Sequence, residues 1–352
     1  MKHDDGWLRA VGRFLRPRRR QASWATGLGV GGVGMLVGAL PATGLGREVL
    51  VNLGASFVMV ALSFVVFDPI FENMRKNSVE EHRTLNMDQL VLQFSAARTR
   101  VEIMETWTGL LEESHRERFL AAAEAGVQRG VQVRILLLDP DSAAAEQRAE
   151  ELDHTQVQVL IMENLQYLYQ LRRGLEPAAA RRFQVRVYDA SPSIQLYRWD
   201  EKAYISFFPV GVRAYDARQI EAFMASPLGE FVEGRFDELW ASNTTRPMDD
   251  FMTIGLTVRR GGADLGTSQA HFVRLGTAWY IDRTAISDHV TLHGILQLTI
   301  HTRQPLIVDG TAGTVFGVEQ VAVGQKDLVA MFDAKYGPGH RATQLFRLAP
   351  RT

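Results

Sequence analysis

Two stretches near the start of the chain carry no charge, one between Arg20 and Arg47 and one between Glu48 and Asp68. Each is long enough for the ~20 apolar residues that cross a ~30 Å hydrocarbon core, which constrains the fold more than any other feature. The first, Trp24 to Leu40, is glycine-rich; the second, Val49 to Phe67, is rich in Val, Phe, Leu and Met. Pro41 to Glu48 is a short link of turn-forming residues. The pattern predicts a two-helix transmembrane hairpin over 23–70. Lys2, Arg9, Arg13, Arg16, Arg18, Arg19 and Arg20 precede it, Arg75 and Lys76 follow it, and the link holds only Arg47. Positive flanks stay inside, so both termini are expected in the cytoplasm and the two spans in the inner membrane. A cleaved signal peptide fits less well, because the uncharged run exceeds an h-region and a second apolar run follows at once.

Gly27, Gly31, Gly34 and Gly38 fall on one face of the first helix. Such small-xxx-small spacing lets backbones approach closely in lipid, so this face is read as the helix-packing face of the hairpin or of an oligomer. Asn52 is the amide within the spans, and neither span holds an ionisable group. Transport is therefore not expected.

The whole chain has 352 residues and a net charge of −1. That balance offers no support for direct nucleic-acid binding, since the basic residues concentrate in a cytoplasmic N-terminus, 1–22, where they face anionic headgroups. The absence of cysteine excludes disulfides and thiolate metal sites. No cofactor is expected, and the lipid bilayer is the first expected partner.

After a charged connector over 71–84, read as helical, residues 85–243 read as α/β. Leu85 to Ala96 is helical, Val101 to Trp107 alternates as a strand, and Arg116 to Arg129 is an alanine-rich helix closed by Gly130. Val131 to Leu138 is an apolar run of the buried parallel-sheet type. Asp139-Pro-Asp-Ser142 stops it and caps the next helix. Phe183 to Tyr188 is a strand, Ser193 to Trp199 and Ala203 to Phe208 form a hairpin around Asp200, and Phe231 to Trp240 is a closing helix.

The segments VQVRILLLDPDS, FQVRVYDASPSIQLYRWDEKAYISFF and FVEGRFDELW, in this order, resemble the phospholipase D-like superfamily, in particular its single-copy, degenerate bacterial members. The resemblance covers about 85–243 and implies the signature His-x-Lys-x4-Asp followed by a small pair. Counted back from Asp200, Ser193 stands at the histidine position and Gln195 at the lysine position, with Ser206 near the downstream serine. Residues two apart in a strand share a face, so Ser193 and Gln195 are expected to point together. Family chemistry needs histidine as nucleophile and lysine to neutralise phosphate oxygens. Serine and glutamine do neither well, so no catalytic residue is expected. Ser193, Gln195, Asp200, Ser206, Arg198 and Arg134 are the candidate ligand-binding residues of the degenerate pocket, with Arg186 and Lys202 as further nearby positive charge. Phosphorylated-ligand binding, a pure scaffold and residual enzymology all remain open at this point. One motif copy, where the superfamily's pockets take two, implies a homodimer or higher oligomer.

His115 and His154 are read as surface residues. Trp107, Tyr197, Trp199 and Trp240 are read as packing, and Tyr167, Tyr169 and Leu171 as a helix face turned to the core. Beyond a linker at Pro247 to Asp250 the pattern changes to short strands with Gly- and Asp-containing turns over 250–352, which argues for a small, mainly β barrel or sandwich. Val290 to His301 is read as a strand and Gln325 to Tyr336 as a helix. His271, His289, His293 and His301 lie here, but at ~3.3 Å per residue His293 and His301 of one strand are roughly 26 Å apart, too far for one metal. The layout is similar to that of bacterial antiphage effectors that sense nucleotide messengers, an analogy of architecture only. The expected function is a membrane-anchored, non-catalytic sensor of a phosphorylated or nucleotide-type ligand. The alternatives are a membrane-bound phosphodiesterase with an atypical site and a membrane scaffold for partner proteins.

Overall fold

The computed structural model describes residues 19–62 except 42, and 79–350 except 154, 209–210, 261–262, 277, 286–288, 303–305, 309–314, 322–325, 338–339 and 341–344. The N-terminus before Arg19, the connector up to residue 78, the end of the second expected span and His154 lie outside the described residues. The chain divides into two compact units, 1–78 and 79–352.

In the first unit the two apolar stretches form helices α1 (Arg19–Gly38) and α2 (Leu45–Leu62), packed against each other. The expected transmembrane hairpin is corrected here: among the described residues no helix is long and apolar enough to cross a membrane. The physical reasons are visible in the segments. α1 contains Gly27, Gly29, Gly31, Gly32, Gly34 and Gly38, which dilute its hydropathy. α2 takes Arg47 and Glu48 into its first turn, so two charges fall inside the helix as described. Within the hairpin the helices do not meet on the glycine face at 27, 31, 34 and 38. A Cβ on Gly27, Gly31, Gly34 or Gly38 would meet nothing within 4 Å. The close approach is at Gly32, where a Cβ would lie 2.8 Å from the Gly54 carbonyl oxygen, and at Gly54, where one would lie 2.9 Å from the Gly32 oxygen.

The second unit begins with β1 (Glu80–His82), a strand where a helix was expected. It is followed by α3 (Met87–Ala96), β2 (Arg100–Glu105), α4 (Arg116–Arg129), β3 (Gln132–Leu138), α5 (Ala143–Glu151), α6 (Val157–Gly174), α7 (Pro177–Ala180) and β4 (Phe183–Tyr188). Then come β5 (Ile194–Trp199), β6 (Lys202–Phe207), β7 (Gln219–Phe223), α8 (Pro227–Ala241), β8 (Arg246–Pro247) and α9 (Met248–Met252). The strands form one eight-stranded sheet in the order β1-β7-β6-β5-β2-β3-β4-β8. β2, β3 and β4 run parallel, and their other neighbours are antiparallel. β3 is apolar over Ile135 to Leu138, all fully buried, as a strand covered on both faces requires. Local chemistry sets the helix starts: Asn86 caps α3 and Ser142 caps α5, each side chain accepting a backbone N–H. Gly130, at φ 101°, ends α4 in a left-handed conformation that glycine adopts without strain.

β9 (Thr253–Arg260), β10 (Ala263–Leu275), β11 (Ala278–Ala285), β12 (Leu306–Val308), β13 (Val315–Gln320) and β14 (Leu345–Pro350) close a six-stranded barrel, β10-β11-β14-β13-β12-β9. Of the barrel and the sandwich that the sequence leaves open, this is the barrel. The segment expected as a strand at Val290 to His301 is instead the helix α10 (His289–Thr302). Leu292, Ile295, Leu296 and Thr299 recur at helical spacing and are buried, and the first three join Leu256, Ile281 and Phe346 in the barrel core. α11 (Lys326–Tyr336) lies against β10 and α6. The Tyr336 hydroxyl donates to the Met252 carbonyl at 2.7 Å and accepts from the Phe272 amide at 2.8 Å, tying α11 to α9 and the barrel.

Candidate functional site

Strand alternation sorts the six candidate ligand residues onto different surfaces. Gln195 pairs with Ser206 across β5 and β6, and both are buried. Continuing the β2–β5 register past Met104↔Leu196 brings Gln195 beside Glu105, and the Gln195 amide donates to Glu105 Oε2. Tyr197, on the same face of β5, donates to that oxygen at 3.4 Å, and the Thr106 amide donates to Oε1 at 3.1 Å. Tyr197 also exchanges a hydrogen bond with Thr108 at 2.9 Å, and Asn164 on α6 accepts from the Thr108 amide at 2.7 Å. Burial pushes the Glu105 carboxyl up to about 8, against the opposing pull of Gln195, Thr106, Arg148 and Tyr197. At neutral pH Glu105 therefore holds its proton. Burial likewise raises the Tyr197 phenol well above its ordinary value. The expected phosphate-clamp position is thus occupied by an uncharged carboxyl–amide pair.

Arg198 and Arg134 are on the opposite face. Both flank Glu102 in register, Arg198 across the antiparallel step and Arg134 across the parallel one. Glu102 is fully buried, ion-paired to Arg198 at 3.0 Å and to Arg134. Glu233 of α8 takes Arg198 at 2.6 Å, and Asp237 takes Arg134 at 3.1 Å. These arginines are consumed by carboxylates and stand across the sheet from Gln195. Ser193 lies just before β5 and is exposed, while Ser206 donates to the Arg218 carbonyl at 2.9 Å. Asp200 sits at the hairpin turn with φ 48° and receives the amides of Arg98, Thr99 and Arg100 and the Thr99 hydroxyl at 2.7 Å. Partial burial works against ionisation there, but the Thr99 and neighbouring hydrogen bonds prevail and hold its carboxyl below the usual range. The structure therefore joins Gln195 and Ser206, separates Arg198 and Arg134 from them, and gives Asp200 the task of closing the turn.

Sequence reasoning missed Glu105 and the residues of a cleft elsewhere in this unit. The Glu105 signal was a carboxylate at the end of an apolar strand, Val101-Glu-Ile-Met-Glu105. The cleft, about 760 Å³, is lined by the loop after β3 (Asp141), β8 (Arg246), α9 (Asp250, Phe251), β10 (Gln269, Phe272, Arg274), β11 (Trp279) and α11 (Lys335). Phe272 and Trp279 pack with ring centroids 5.0 Å apart. Arg246 is held by Asp139 at 2.7 Å, and its guanidinium lies 4.9 Å from the Phe251 ring. Lys335 is 8% exposed, with Nζ 3.5 Å from the Phe272 ring centre and 4.8 Å from that of Phe251. Among the described residues it has no hydrogen-bond or ion-pair partner. Burial pushes its ammonium down to about 7.

Other titratable clusters are differently committed. His271 is buried, stacked on Tyr336 at 4.2 Å, and held neutral down to about 3 by burial and by His340. It lines a second cavity of about 410 Å³ with Tyr169 and Arg173. His293 and His301 lie on α10, about 12 Å apart along the helix axis. Among the described residues Glu80, His82 and Glu221 have potential metal-ligating atoms within 4.8 Å of one another, but Lys202 Nζ already pairs with Glu221 at 2.6 Å.

No protein-family model matches the chain, and no curated protein matches its sequence. Among solved structures it is similar to the archaeal chromatin protein TrmBL2, at 13% identity over 56% of this chain, with a TM-score of 0.32; the match spans 64% of that protein's length. It is similar to Nuc of Salmonella typhimurium, a phospholipase D family member, at 14% identity over 48% of this chain and 97% of that one, with a TM-score of 0.31. It is also similar to phosphatidylserine synthase of Haemophilus influenzae Rd KW20, at 11% identity over 49% of this chain and 38% of that one, with a TM-score of 0.34.

Proposed function

We propose that the α/β domain is a catalytically silent, single-copy phospholipase D-like domain, and that the protein is a non-catalytic sensor that binds a phosphorylated or nucleotide-type ligand. The observation that carries the catalytic silence is the buried contact between Gln195 and protonated Glu105. Phosphodiester cleavage at this place needs a nucleophile and a fixed positive charge on the phosphate oxygens. A carboxyl offers neither, and ionising it toward an incoming phosphate would add repulsion. Of the candidate arginines, Arg198 and Arg134 are spent on Glu102 across the sheet, and Arg148, which acts on Glu105, is paired with Glu151 at 2.9 Å.

Turnover of bis-p-nitrophenyl phosphate and of phosphatidylcholine vesicles by the purified protein tests the reading. No release above buffer is expected. Hydrolysis that disappears in Ser193→Ala would overturn it. The single motif copy supports a two-fold homodimer as the working assembly, and light scattering that gives the monomer mass at high micromolar concentration would remove that part.

A further inference from the structure

Lys335 is the most unusual cation in the described chain. A buried ammonium with no hydrogen-bonded partner is costly, and cation–π contact with Phe272 and Phe251 recovers only part of that cost. Its own element brings no carboxylate to it. The charged groups that face it from packed elements are Asp139 and Asp141 after β3 and Arg246 on β8, and Arg246 already pairs with Asp139. Asp141 is pushed upward by burial and by the charge of Asp139, against the pull of Arg246, Lys335 and Arg274. Arg274, exposed beside Trp279 at 5.5 Å, donates to the Gly276 carbonyl at 3.3 Å and acts on Asp141 without a close ion pair among the described residues. Asp250 completes the charged lining. The cleft therefore combines two cations with no ion pair within 4 Å among the described residues, both in the field of Asp141, with an aromatic wall and carboxylate acceptors in a volume within the ~300–1,000 Å³ of small-ligand pockets.

We infer that this cleft, and not the motif strand, is the ligand site, and that it takes a nucleoside phosphate, with the base against Trp279 and the phosphate at Lys335 and Arg274. This deepens the reading of the chain as a non-catalytic binder. Aromatic faces favour a flat π-system, Asp141 and Asp250 suit the amino and hydroxyl donors of base and sugar, and an anion supplies what Lys335 lacks. Free Lys335 loses its proton near pH 7. An adjacent phosphate favours the charged form, so binding at pH 8 takes up a proton and affinity falls as pH rises above 7.

Isothermal titration of the full chain with AMP, GMP, CMP and UMP, at pH 8 in buffers of different ionisation enthalpy, tests the inference. At least one nucleotide is expected to bind with net proton uptake, and pyrophosphate and the matching nucleoside at least tenfold more weakly. Lys335→Met should weaken that nucleotide tenfold or more and abolish the uptake. Arg274→Ala, at an exposed position that leaves the core intact, should weaken it several-fold, as should Trp279→Ala. Binding of none of the four would overturn the inference, as would unchanged affinity in both Lys335→Met and Arg274→Ala. Pyrophosphate binding as tightly as every nucleotide would overturn the role of the aromatic wall. None of these results depends on whether phosphodiesters are hydrolysed, so this site and the silent motif fail or stand separately.

Discussion

A carboxyl in a dry site is tolerable only while it keeps its proton, and Glu105 does so up to about pH 8. In the unfolded chain the same group releases its proton near 4.5. Between these values the folded state binds the extra proton, so Glu105 stabilises the fold below about 4.5 and that contribution is lost as pH rises through 8. Glu105→Gln keeps the shape without the titration. Urea unfolding at pH 5 and pH 8.5 should show the native midpoint falling between the two and that of Glu105→Gln falling less; equal declines would refute the assignment. What was legible at this scale was limited by distance along the chain. Ser193, Gln195 and Asp200 were singled out by the resemblance, and alternation alone separates Gln195 from Arg198. The partner of Gln195 lies 90 residues away and depends on which strand pairs with β5, which no local pattern records. Lys335 likewise reads in sequence as an ordinary helix-ending lysine.

Elements were read best where chain chemistry is local. Ser142 announces its helix because the cap needs a side-chain oxygen at one position, whereas the helix expected from Leu85 starts at Met87, behind the Asn86 cap. Ser142→Ala is expected to cost about 1 kcal/mol, measured by urea denaturation. α10 was misread because Val290-Thr-Leu and Leu298-Thr-Ile are β-favouring residues, whereas the burial of Leu292, Ile295, Leu296 and Thr299 follows the helical period and tertiary packing prevails over propensity. In the α1–α2 hairpin, glycine spacing suggested one face and the observed contact uses another. Gly54→Leu must displace the Gly32 carbonyl or Leu36 and is expected to cost about 1–3 kcal/mol. Gly31→Leu enters open space within the hairpin. Hydrogen exchange across 45–62 should accelerate in the first variant and not in the second. Equal exchange in both would show that the two helices do not depend on this approach.

At the scale of the molecule, the α/β domain and the barrel were legible because each is a run of local signals, strands alternating with helices in one and short strands with turns in the other. The cleft was not, because Asp141, Arg246, Arg274 and Lys335 come from four elements that meet only after both are folded. The large-scale topology has a consequence for colloidal behaviour. The barrel closes on itself and offers no outer strand, and the eight-stranded sheet ends in β1, three residues with two glutamates, and β8, two residues that include Pro247. Short, charged or proline-bearing margins give another chain little backbone to add to. The second unit should therefore resist templated fibril growth even when crowded. Glu80→Val with Glu81→Thr, which makes the β1 margin apolar and β-prone, should shorten the lag of thioflavin-positive aggregation at 37 °C, and an unchanged lag would show that this margin is not where such growth is held in check.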